Sequence, residues 1–301
     1  MSLPDNARTT NMTFLVAALF KHATSLRELS MVQVCNGCPE TNALVLDAIC
    51  AHTGIRDLTV AFHVHDDEDP DGDVERLSDF LSRLKSPIET LDVQMNEDDL
   101  SRCDDPSEAL KPVASSLKKL MLRSVVLRGT SDIVFPRVTS VALEFGLEYN
   151  LMPILQSFPN VRRLTLSSQA IHLEEEESDR LNNQAAQERQ RWRSLDVLEA
   201  DLPTLYVFAI ACDVEELKVD GGYSFELDVL SKLHIVLQDT RPSSLVLYVK
   251  ATEEHASLMH TLLPPALQIT HLDLKAYFRW EQTCVDIVLV RRLYHFEKHV
   301  C

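Results

Sequence analysis

Apolar residues recur along this chain as short alternating runs. The stretch Ser116-Leu-Lys-Lys-Leu-Met-Leu-Arg123 shows the unit, with Leu117, Leu120 and Leu122 in Leu-x-x-Leu-x-Leu spacing. Successive strand side chains point to opposite faces. Leu120 and Leu122 therefore share one face, and Lys119, Met121 and Arg123 the other. The same spacing returns around Leu29, Leu58, Leu91, Val141, Leu164, Leu198, Leu217 and Leu272. A degraded copy at Leu245-x-Leu247 has Pro242 in the first apolar slot. These central residues stand 19 to 34 positions apart. That spacing brackets the period of stacked strand-and-helix repeats, about 20–29 residues in the leucine-rich kind.

Between the strand units the apolar period changes to that of a helix. Val74, Leu77, Phe80, Leu81 and Leu84 mark one face of a helix over 73–84. Helical spacing is also expected over 40–52, 149–158, 226–237 and 253–263, the last stopped by Pro264-Pro265. A shorter helix over 107–114 is interrupted by Pro112. The longest step, through 171–193, opens with Glu174–Glu177 and Asp179 and closes with Arg189, Arg191 and Arg193. Acid first and base last suits the helix dipole. A long exposed helix is expected there, with Leu181, Ala185 and Trp192 as its packing residues. Strand followed by helix, repeated, buries its apolar face only by stacking on neighbours.

The pattern resembles a leucine-rich-repeat protein of the irregular, long-repeat kind. It is similar to the repeat arm of fungal F-box proteins, although no F-box is found. The resemblance implies an α/β solenoid, a curved horseshoe with a parallel sheet on its concave face and helices on its convex face. Residues 1–11 are expected to be disordered, 12–276 to form about ten irregular repeats, and 277–301 to cap the end. The tail could be read as helix or as strand. Family repeats place Asn or Cys three residues past the last motif leucine, and here Asn96 alone matches. The resemblance also implies substrate recognition for ubiquitination.

Charge narrows the partner. The net charge is −17 and the pI about 5.0, which disfavours nucleic acid and anionic membranes. The longest apolar run is too short to cross a membrane, and the N-terminus lacks a signal-peptide layout. Seven cysteines, scattered and odd in number, fit a reducing cytoplasmic or nuclear setting.

Chemical motifs are sparse. Glycine-rich phosphate loops, a nucleophile elbow and a kinase signature are not found. Asp67-Glu-Asp69-Pro-Asp71-Gly72 matches the start of a calcium loop, but Ser78 stands where its final Glu belongs. An acidic loop capping the next helix is the plainer reading. His63-x-His65, Cys35-x-x-Cys38 and the pair His255 and His260 lack the partners a metal site needs. No catalytic residue, metal or cofactor is therefore expected. The expected function is a monomeric, non-catalytic scaffold binding a protein partner on its concave face. The alternatives are an enzyme whose site shows no sequence motif and a calcium-responsive module. The inner wall would carry Lys119, Met121, Arg123, Ala142, Arg163 and Thr165, then Glu199, Asp201, Glu216, Lys218 and Asp220. Lys119, Arg123 and Arg163 would face an acidic segment of the partner.

Overall fold

In the computed structural model all ten expected strand centres lie in β-strands. The structure describes residues 18–20, 22–32, 39–61, 72–95, 105–125, 127, 132–145, 149–168, 176–223, 227–251, 268–278 and 284–289. The chain divides into two units, residues 1–148 with 156–160, and residues 149–155 with 161–301.

The first unit holds β1 (Glu28–Val32), α1 (Pro39–Ala51), β2 (Asp57–Ala61), α2 (Gly72–Arg83), β3 (Thr90–Gln94), α3 (Ser107–Leu110), β4 (Lys119–Val125) and β5 (Ser140–Phe145). Helix α4 (Leu151–Ser157) is divided between the units. The second unit holds β6 (Arg163–Ser168), α5 (Glu176–Arg189), β7 (Ser194–Asp201), α6 (Leu202–Phe208), β8 (Asp213–Tyr223), α7 (Leu227–Thr240), β9 (Ser244–Ala251), β10 (His271–Phe278) and β11 (Cys284–Leu289). Within each unit the strands pair in chain order and in parallel, except that β11 runs antiparallel to β10. Strand, helix, parallel strand is the α/β arrangement of a leucine-rich-repeat solenoid.

Register is the central result. In the first unit Leu29, Leu58, Leu91, Leu120 and Val141 are successive Cα partners. In the second, Leu164, Leu198, Leu217, Leu245 and Leu272 form the same ladder. Two residues on, Val60, Val93, Leu122 and Leu143 make a parallel row in the first unit. All of these are buried except Leu29 and Leu272, which are half-buried. A slip of one residue would turn every leucine to the other face. Each buried leucine contributes roughly 1.5–3 kcal/mol, so the aligned rows strongly specify the pairing. Pro242 is buried too; it fills the apolar slot just before β9, where no ladder hydrogen bond is required of it.

The turn into each strand repeats as well. The carbonyl of Arg27 accepts from Arg56 N and Asp57 N at 2.7 and 3.0 Å. Arg56 O does the same for Glu89 and Thr90, and Glu89 O for Lys118 and Lys119. Gly54 sits in the first of these turns. A Cβ there would lie 2.9 Å from both Leu26 O and the His52 ring. His52 Nδ1 accepts from Gly54 N at 3.0 Å, while Nε2 donates to Ala23 O at 2.8 Å.

Several expectations change in detail. Helix α3 stops at Leu110 and tightens into a 3-10 turn over Lys111–Val113, because Pro112 has no N–H to continue an α-helix. Helix α6 was not expected. Its start is nevertheless written in the chain: Asp201 Oδ1 accepts from Thr204 N at 2.7 Å, Pro203 lies in the first turn, and Ala209 closes the helix at φ 50°. Beyond 276, β10 continues to Phe278 and Cys284–Leu289 is strand. The expected helix over 253–263 lies outside the described residues.

Candidate partner-binding face

In each unit the strand positions between the leucines form the face opposite them. In the first unit Asp57, Thr90, Lys119 and Ser140 align in one row, and Thr59, Asp92, Met121 and Ala142 in the next. Arg123 pairs in register with Gln94. In the second unit Arg163, Val197, Glu216, Ser244 and His271 align, and so do Thr165, Glu199, Lys218, Val246 and Asp273. Every expected site residue thus occupies a position alternating with the buried leucines. Lys119, Met121 and Arg123 belong to the first unit, and Arg163, Thr165, Glu199, Glu216 and Lys218 to the second.

The charges are more balanced than the sequence suggests. Arg123 lies 3.3 Å from Asp92 on the neighbouring strand and also donates to Met121 Sδ at 3.1 Å. Burial pushes the Asp92 carboxyl up from its ordinary pKa, and the Arg123 guanidinium draws it part of the way back. Lys218 lies 3.7 Å from Glu216. Lys119 and Arg163 are exposed and have no ion-pair partner among the described residues. Asp201 leaves the expected wall role, since its carboxylate caps α6, and burial raises its pKa. On β9 and β10 of the second unit, Lys275 lies 4.9 Å from the Tyr248 ring centroid and donates to its hydroxyl at 3.1 Å.

No protein-family model matches the chain, and no curated protein matches it. One solved structure similar to it is that of TLR13 in complex with ssRNA13, at 15% identity and a TM-score of 0.45 over 87% of this chain. The match spans 38% of that chain. The leucine-rich-repeat character stands on the register and burial seen in this chain itself.

A second polar constellation lies on the helical side of the second unit, where a solvated helix was expected. On α5 the expected packing residues Leu181 and Ala185 are exposed, Leu181 at 63%, while Arg180, Asn183 and Gln187 are buried. Trp192, just past the helix, is buried as expected. The reason is backbone satisfaction. Asn183 Oδ1 accepts from Leu151 N at 2.8 Å, and its Nδ2 donates to Tyr149 O and Val207 O at 2.9 and 3.1 Å. Gln187 donates to Ala209 O at 2.8 Å and accepts from Ala211 N at 2.7 Å. Gln190 donates to Leu155 O at 2.7 Å. These amides satisfy backbone groups at and beside the ends of α4 and α6.

Arg180 extends the network. It donates to Tyr206 O at 2.5 Å, pairs with Asp239 at 2.6 Å, and lies 4.5 Å from the Tyr206 ring centroid. Lys232 pairs with Glu176 beside it. Burial and the hydrogen bond to Glu177 push the Tyr206 phenol up to about 12. Tyr206 therefore stays neutral at ordinary pH, held beside two ion pairs and the Glu177 carboxylate to which it donates. Burial likewise raises the Cys50 thiol, and Cys212 to about 11, so neither supplies a thiolate at neutral pH.

Among the described residues no group of three His, Cys, Asp or Glu side chains could hold a metal, and no helix is long and apolar enough to cross a membrane. Cys35, Cys38, His63, His65, Asp67–Asp71, Asn96, His255 and His260 lie outside the described residues.

Proposed function

We propose that the chain is a protein-binding scaffold whose polar sheet face receives a partner. The observation carrying this reading is the register: it fixes accessible polar side chains into rows at strand spacing, opposite a leucine wall that holds them rigid. Ordered polar rows favour specificity and on-rate. A protein is preferred over nucleic acid because the net charge is −17. A monomer working in a reducing, cytoplasmic or nuclear setting is consistent with free Cys50 and Cys212. Selection of substrates for ubiquitination is the finer form of the proposal, supported by the resemblance of the repeats alone.

Lys119→Glu and Arg163→Glu, each made in the full chain, test the face. Affinity capture at low salt, quantified by mass spectrometry, is expected to lose a partner about tenfold in either variant. Leu181→Glu, on the outer surface of α5, should retain it. Partners held equally by all three variants would remove the sheet face from the reading. Ubiquitin-ligase subunits captured with the wild type would support the finer role, and capture without them would leave the scaffold alone.

A further inference from the structure

Where three turns lead into β7, β8 and β9, the second unit forms a cleft of about 380 Å³. It is lined by Arg191, Trp192, Arg193, Cys212, Asp213 and Arg241. Its size falls within the usual range of small-ligand sites, about 300–1,000 Å³. Three arginines from two separate turns line it, with a single carboxylate among them. Asp213 is taken by Arg241, at 2.9 Å. Arg191 and Arg193 are exposed, with no hydrogen-bond or ion-pair partner among the described residues. On a chain of net charge −17, this local excess of positive charge runs against the mean.

We propose that this cleft binds a phosphate group, carried either by a small phosphorylated molecule or by a phosphorylated protein side chain. Guanidinium forks match the spacing of phosphate oxygens and donate to two at once. Arginines arriving from different turns suit a tetrahedral anion better than a planar carboxylate, because its oxygens point in several directions. Two other lining residues favour the same ligand. Trp192 and Cys212 are both buried, and low-dielectric surroundings strengthen ion pairing beside them. The Cys212 thiol stays protonated, its pKa pushed up by burial, so it adds no negative charge. The backbone holds the third arginine in place: Arg241 has φ 43° and its N–H bonds to Leu237 O at 3.0 Å. The cleft lies at the strand entrances, apart from the polar rows of the sheet.

Isothermal titration of the full chain in phosphate-free, low-salt buffer tests this. One arm uses pyrophosphate, and the other a phosphoserine peptide beside its unphosphorylated twin. Saturable binding of pyrophosphate is expected if the source is a small molecule. Binding of the phosphopeptide but not its twin, with pyrophosphate weak, assigns the source to a protein. In either case Arg191→Glu with Arg193→Glu should weaken binding about tenfold or more. Asp213→Asn, which releases Arg241, should tighten it about threefold or more. That gain cannot come from misfolding. Failure of both probes to bind at millimolar concentration would overturn the assignment. So would binding indifferent to both the arginine and the Asp213 changes.

Discussion

Asn183→Ala is expected to lower the unfolding free energy by about 3–5 kcal/mol. The side chain is 1% exposed and makes three hydrogen bonds to backbone. Alanine removes all three and admits no water to replace them. Leu151 N–H loses its acceptor outright, while the Tyr149 and Val207 carbonyls each lose a donor. An orphaned buried group costs about 1–3 kcal/mol, and carbonyls tolerate partial satisfaction better than N–H groups. Helix propensity offsets less than about 1 kcal/mol of this. Asn183→Asp should be no better, since a carboxylate would face two carbonyls. The neighbouring Asn182, exposed on the same helix, is the control: Asn182→Ala should change stability by less than about 0.5 kcal/mol. Urea unfolding followed by circular dichroism reads the difference.

Leu91→Ala should cost about 2–5 kcal/mol, the range for deleting a buried leucine. Leu91 is fully buried and sits mid-ladder between Leu58 and Leu120. Neighbouring strands are hydrogen-bonded on both sides, so the wall can collapse little into the gap. On the other face, Met121 is only half-buried beside Asp92. Met121→Ala should cost less than about 1 kcal/mol. The contrast between two apolar residues on adjacent strands reports which face is the core. Equal costs would mean the faces are wrongly assigned.

Much of this architecture was legible in the leucine spacing, because a period of two with one buried face leaves a single admissible register. Leu29 through Leu272 share one spacing, and they pair in that order within each unit. Polar burial was not legible in the same way. A hydrophobic pattern picks out Leu181 on α5, yet Leu181 is exposed and Asn183 buried. The signal was present as an amide and guanidinium stripe, Arg180, Asn183, Gln187 and Gln190, at helical spacing. Reading it requires knowing that the backbone of 149–151 and 207–211, which these side chains bond, lies alongside. The Asp92 tie to Arg123 is illegible for a related reason: it joins two strands across 31 residues. Helix α6 was missed although its Asp cap and early Pro were in view, because its seven residues are too few to show a period.

Cysteine cross-linking at register partners tests the ladder most directly. Partners on adjacent strands lie about 4.8 Å apart, within disulfide reach. Positions displaced by two residues lie about 8 Å apart, beyond it. Glu199 and Lys218 are such partners on β7 and β8, both half-buried on the polar face. Under mild oxidation, Glu199→Cys with Lys218→Cys should give a bond that peptide mapping locates between those two positions, while Glu199→Cys with Glu216→Cys should not. A bond in the second pair and none in the first would mean that the strands are not aligned as described.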